Sequence, residues 1–175
     1  MNISKIKKFV INNFFVLSVV FFSLINFFVA LKLNIFRYNN FDFGKFDLGN
    51  MTQMVWYTLN GKFMYLTDYF GSNVPRWSMS HVDPLLALFT PIFAVFPHPL
   101  TLVISQLFIV VFSSLLIFAI ANLELKSKLS ACLISFAFLL NPSLGFINGT
   151  MGFHAVTAAI PFFLGAFYLF EKMYK

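Results

Sequence analysis

Charge is what this sequence has least of. Charged residues make up 10% of its 175 positions, against about 25% in ordinary soluble domains. A soluble fold of this size could not bury the apolar surface that remains. Cysteine occurs once, as Cys132, which excludes an intrachain disulfide framework and a cysteine-based zinc site. The sequence has no Gly-rich phosphate loop, no G-x-S-x-G elbow and no H-E-x-x-H pair, so the common signatures of nucleotide binding, serine hydrolysis and zinc proteolysis are missing. Polar low-complexity stretches, the mark of a disordered chain, are missing too. The net charge is +6, but the cations stand singly and at segment ends. That pattern sets membrane topology and does not make a nucleic-acid stripe, so no nucleic-acid partner is expected.

What is there is apolar. Hydrophobic residues make up 59% of the chain, and 27 residues are Phe; the mean hydropathy is +0.83. The expected class is an all-α integral membrane protein in contact with membrane lipid. Phe9 to Leu31 carry no charge, and about 20 such residues cross a bilayer as a helix. A first span is therefore expected over 9–33. It is too long for a signal peptide and is followed by no A-x-A cleavage site. Residues 37–98 read as one large outer loop, with acids at Asp42, Asp47, Asp68 and Asp83 and cations at Arg37, Lys45, Lys62 and Arg76. Within it, Leu48, Met51, Val55 and Leu59 recur at helical spacing, which predicts a helix near 47–60 with Asp47 at its head and Gly61 at its stop. Pro84 and Pro97 bracket a second, near 84–96. At about 13 residues, or about 20 Å, this one falls short of the roughly 30 Å hydrocarbon core and is expected to lie along the surface.

Further spans are expected at 100–123, 129–147 (weakening at Asn141-Pro142) and 153–170. Four spans place the N-terminus, the Lys126/Lys128 turn and the C-terminus on the cytoplasmic side of a plasma membrane, as positive-inside sorting requires. The four Asp residues and His81, His98 and His154 then gather on the outer face. That gathering reads either as a site or as the plain result of charge sorting plus one large loop.

Three ordered stretches carry a resemblance. They are Phe46-Asp47-Leu48-Gly49 with Gln53, Trp56 and Gly61; His81-Val82-Asp83-Pro84-Leu85-Leu86 leading to Phe96-Pro97, Leu102 and Gln106; and Leu140-Asn141-Pro142 followed by Gly152-Phe153-His154. Together, from about Asn39 to Glu171, they resemble the predicted membrane-protein family called domain of unknown function 2079, which looks like a branch of the GT-C glycosyltransferase superfamily. The resemblance implies the front half of a GT-C module, with two juxtamembrane helices in its first outer loop. The implied activity is transfer of a sugar from a polyprenyl-phosphate-linked donor at the outer membrane face. Asp47 then matches the acid that acts as base or metal ligand, and His81 and His154 match the family's characteristic histidines. The chain departs from the family at Asp83, where a small polar residue is usual, and after His154, where Ala155 and Val156 replace a proline and an acid. Family chains also run longer, so this one is expected to be an amino-terminal fragment, a split protein whose module a further polytopic chain completes, or a degenerate copy.

Each residue has two readings. Asp47 suits a general base for an acceptor hydroxyl, and equally an N-cap. Asp47, His81 and Asp83 form a mixed His and carboxylate set suited to a divalent metal; His81 and Asp83 equally suit capping of the Pro84 helix. His81, His154, Gln53 and Arg76 are the expected substrate-binding residues. Arg76 suits a lipid phosphate through its planar fork, and equally ordinary headgroup anchoring. Asn50-Met51-Thr52 and Asn148-Gly149-Thr150 have the form of glycosylation sequons. The rival to transfer is a non-catalytic scaffold or subunit of a larger complex. A transporter is disfavoured, because the span interiors hold no ionisable group.

Overall fold

The computed structural model describes residues 11–43, 47–79, 82–149 and 152–174. Its helices are, in chain order, α1 (Phe14–Asn39), α2 (Asp47–Leu59), α3 (Thr90–Val95), α4 (Pro99–Leu125), α5 (Lys128–Leu139), α6 (Pro142–Gly149) and α7 (Ala159–Met173). Strands β1 (Tyr65–Thr67) and β2 (Asn73–Pro75) follow α2, and 3-10 turns occupy Arg76–Ser78, Pro84–Phe89 and Ala155–Ala158. The uncharged runs fold as helices because a backbone surrounded by lipid must satisfy its own N–H and C=O groups. Among the described residues, α1, α4 and Ala155–Met173 are each long and apolar enough to cross a membrane. α5 and α6 qualify together as one span bent by 48°. The molecule is thus an all-α membrane protein with three or four candidate spans and one small hairpin.

Local chemistry explains where the helices stop and bend. α1 runs beyond residue 33, through Arg37 to Asn39. A charge at the lipid boundary ends the apolar run without ending the helix. The helix ends where Phe41 turns left-handed at φ 57°, clamped by an Asp42 N–H to Arg37 carbonyl bond of 2.9 Å and an Arg37–Asp42 ion pair of 3.3 Å. The bend between α5 and α6 falls at Pro142, which has no N–H to donate and whose ring crowds the preceding turn. Asn141 restarts the helix, its Oδ1 accepting the Ser143 N–H at 2.9 Å. The stretch expected as a single helix near 84–96 is instead two pieces, a 3-10 turn over Pro84–Phe89 and then α3. Pro91 forbids a continuous α-helix here, because its ring would clash with the Ala87 carbonyl. Gln106 on α4 and Asn34 on α1, both fully buried, hold the α6 end: Asn34 Nδ2 donates to the Asn148 carbonyl at 2.6 Å.

Two cores lie at opposite ends of α4. The lower one joins Val19, Phe118, Ala121, Ala131 and Cys132. The upper one forms under the 37–98 segment, which folds as a cap. Leu48, Met51, Met54 and Val55 of α2 pack there with Leu66, Leu86, Phe89 and Phe93, and with Leu102, Val103 and Phe153 from the helices below. Between the cores the helices meet through polar contacts, such as Ser23 to Ser114 at 2.9 Å and the Asn26 side-chain amide to the Leu139 carbonyl at 3.4 Å. At the lower end Lys128 Nζ donates to the Asn12 carbonyl at 3.2 Å, and Tyr168 borders a cavity with Val16 and Asn122. The start of α1, the α4–α5 turn and the end of α7 therefore share one end of the molecule, and the cap occupies the other.

Candidate functional site

The cap is built outward from α2. Its buried stripe faces the core, and its opposite side carries Gly49, Gln53 and Trp56. Gly61 stops the helix region at φ 81°, a conformation that suits glycine. The chain then returns as the hairpin, with Leu66 opposite Val74. Side chains of α2 fix that hairpin. Gln53 Nε2 donates to Thr67 Oγ1 at 2.7 Å, and the Thr67 N–H donates back to Gln53 Oε1 at 3.1 Å. Tyr57 OH and Thr67 Oγ1 both donate to Asn73 Oδ1, at 2.9 and 3.1 Å. Gln53, expected to meet a substrate hydroxyl, thus has both ends of its amide on Thr67.

Openings flank α2. A cleft of about 350 Å³ lies between α2 and the hairpin, lined by Asn50, Leu66, Thr67, Asp68, Tyr69, Arg76 and Met79. Behind its wall, the Nε of the lining residue Arg76 stands 3.5 Å from Asp83 Oδ2, with side chains only 14% and 23% exposed. Both atoms are buried without a hydrogen-bond partner, so the contact is a charge pair and not an aligned bond. Asp68 is held by its own turn, its Oδ1 accepting the N–H groups of Phe70 at 2.9 Å and Ser72 at 2.8 Å. Near the head of α2 an apolar groove opens. One part, about 590 Å³, is bounded by Tyr38, Phe41, Phe43, Leu48, Gly49 and Pro99. A second, about 440 Å³, shares Gly49 and Pro99 and continues to Trp56 and Pro97. The groove begins where α1 ends and α4 starts.

Asp47 is exposed and opens α2, where the positive end of the helix dipole favours a carboxylate. Asn50 is one turn further along the same flank. His154 sits at the corner leading into the last helix. Its backbone N–H donates to Gln106 Oε1 at 2.7 Å, while its Nε2 is buried without a partner. Phe153 before it is fully buried and meets the Phe89 ring edge-on at 5.1 Å. Gly152, at φ 78°, leaves only contact distance to the Phe43 ring, 3.4 Å from where a Cβ would stand. The segment approaching Asp47 therefore touches the corner that carries His154.

Arg76 and Asp83 are brought together. Among the described residues no three His, Cys, Asp or Glu side chains come together in a metal-holding group. His81, expected as substrate-binding residue and as a partner of Asp47 and Asp83 in a metal site, lies outside the described residues. His98 has a structural task, its Nδ1 accepting the Leu100 N–H at 3.2 Å to cap α4. Asn148 of the second sequon is buried, which removes it from the surface a glycosyl group would need. Sequence reasoning gave no task to Gln106 and passed over Asn34. Gln106 is an amide inside a long uncharged run, and that was the available signal, since polar groups in lipid need partners; Asn34, between Lys32 and Arg37, carried none.

No curated protein and no solved structure matches the chain. The family model described as "Predicted membrane protein (DUF2079)" matches residues 37–175, a stretch that takes in the whole cap, α4 and the bent pair. With its apolar helices long enough to span a bilayer and that match over most of its length, the chain belongs to the DUF2079 family of predicted membrane proteins.

Proposed function

We propose that this protein takes part in GT-C-like sugar transfer at the outer face of the plasma membrane, using a polyprenyl-phosphate-linked donor, with Asp47 as the general base. The observation that carries the reading is the exposed carboxylate at the head of α2, the helix whose next residues line an apolar groove, through Leu48 and Gly49, and a polar cleft, through Asn50; the groove opens where two candidate spans meet the cap. The groove suits the isoprenoid chain and the cleft suits hydroxyl-bearing groups. Asp47 accepts the proton of the acceptor hydroxyl as its oxygen forms a bond to the sugar's anomeric carbon. The bond from that carbon to the phosphate oxygen breaks, and the lipid phosphate leaves with the electron pair. The shared end of α1, the α4–α5 turn and α7 carries Lys126, Lys128 and Lys172, which supports a cytoplasmic location for both termini.

Full-length protein in membranes, offered a panel of polyprenyl-phosphate hexoses, is expected to lose at least about 100-fold in transfer rate on Asp47→Asn. An unchanged rate in an active preparation rejects Asp47 as the base. A second reading rests on α7, which buries none of its own residues and presents Phe162, Phe163 and Phe170 outward. Lipid covers such a face on a spanning helix; a polytopic partner packed there instead would make the chain a non-catalytic subunit, and the two would co-purify.

A further inference from the structure

We infer that the cleft between α2 and the hairpin binds the ring of a neutral sugar and not a phosphate. The charge arrangement decides between the two. A phosphate site needs donors whose positive charge is not already compensated. Here Asp83 lies behind the lining, 3.5 Å from Arg76, and the lining itself holds the Asp68 carboxylate, so among the described residues the cleft offers an anion no net attraction. A hydroxyl, in contrast, both donates and accepts, and it needs donors and acceptors side by side. Asn50 and Arg76 bring donors to the lining, and Asn50 and the second oxygen of Asp68 bring acceptors, all in one cleft.

The shape agrees. A pyranose has polar edges and apolar C–H faces. Leu66, 1% exposed, lies in the apolar wall, and Tyr69, 84% exposed, stands at the rim. An aromatic ring of this kind gives a flat apolar platform with a polar tip. The volume of about 350 Å³ sits at the small end of ligand sites, which run from about 300 Å³ upward, and suits one ring or two. The walls are fixed before any ligand arrives. Asp68 holds the hairpin turn through two backbone N–H groups, and Gln53 and Tyr57 hold the strands to α2. Little side-chain freedom is then left to lose on binding. Neutral polyol chemistry follows from the cleft alone; naming the polyol as a sugar rests on the transfer reading.

The test uses the full chain in phosphatidylcholine nanodiscs and saturation-transfer difference NMR with methyl glycosides of glucose, galactose and mannose. At least one is expected to bind saturably, with inorganic phosphate failing to compete. Tyr69→Ala and Asn50→Ala, both at accessible positions, are each expected to weaken that binding by about tenfold. Asp83→Asn removes the partner of Arg76 and is expected to let phosphate compete. The inference is overturned if no glycoside saturates, if phosphate competes in the unaltered protein, or if both alanine variants bind as before. Asp47→Asn separates the two claims. Glycoside binding with a transfer rate that this substitution leaves unchanged, or by an unaltered protein that transfers no sugar, sinks the transfer reading and keeps the cleft. Transfer that ignores the Tyr69 and Asn50 substitutions keeps the transfer reading and sinks the cleft.

Discussion

Gln106 shows how much one side chain can organise. Its Nε2 faces the carbonyls of Gly152 at 3.0 Å and Ile147 at 3.5 Å, and its Oε1 faces the His154 N–H at 2.7 Å and Thr157 Oγ1 at 3.4 Å. A fully buried amide satisfied on both sides is stabilising, and removing it strands its partners without water. Gln106→Leu is expected to cost about 2–4 kcal/mol, because several buried groups lose their partner at once. Ser23→Ala, which removes one hydroxyl contact to Ser114, is expected to cost only about 0.6 kcal/mol, the average for a polar contact between membrane helices. Unfolding by SDS titration in mixed micelles measures both. If the two losses were equal, the bracket around Gln106 would carry no special weight. That Gln106 needs partners was legible in sequence, but their identity was not: the Gly152 carbonyl is 46 positions away along the chain, and only folding shows which backbone groups are left open there.

At the scale of elements, legibility followed the length of the signal. The apolar runs of α1 and α4 are long enough to force helices whatever surrounds them, and Asn141-Pro142 marks the bend through a rule that needs no tertiary context. The hairpin was missed because strands of three residues carry no pattern of their own. Theirs is a borrowed stability, supplied by Gln53 and Tyr57 of α2 and by the Asp68 turn. Likewise Asp47 was legible as the head of α2, whereas the Arg76–Asp83 pair, which changes what Arg76 can bind, was not. The loan can be tested. In Asp68→Ala the amides of Phe70 and Ser72 are expected to exchange with deuterium at least about tenfold faster, since each loses its acceptor. Exchange at α4 amides should stay as it was. Unchanged protection at Phe70 and Ser72 would mean that the strands hold themselves.

For the whole molecule the main feature is its polarity from end to end. The cap with Asp47, Asp68 and Asp83 occupies one end, and the α4–α5 turn with Lys126 and Lys128 occupies the other. Cysteine labelling reads the orientation directly, because the native Cys132 is buried. In intact cells a membrane-impermeant maleimide is expected to label Ser72→Cys and to spare Lys172→Cys until the membrane is opened. The reverse pattern would turn the molecule over and remove the outer-face site. The two cores bear on how the chain comes to this state. Among the described residues only α4 contributes buried residues to both of them, Leu102 and Val103 above and Phe118 and Ala121 below. During synthesis the cap segment emerges before its partners: its core lacks Leu102 and Val103 until α4 is made, and Phe153 until the last helix begins. A segment that waits for distant partners folds late. The residues made early thus become the last to reach their final form, and a nascent chain halted before residue 153 would hold an open cap that a protease could cut.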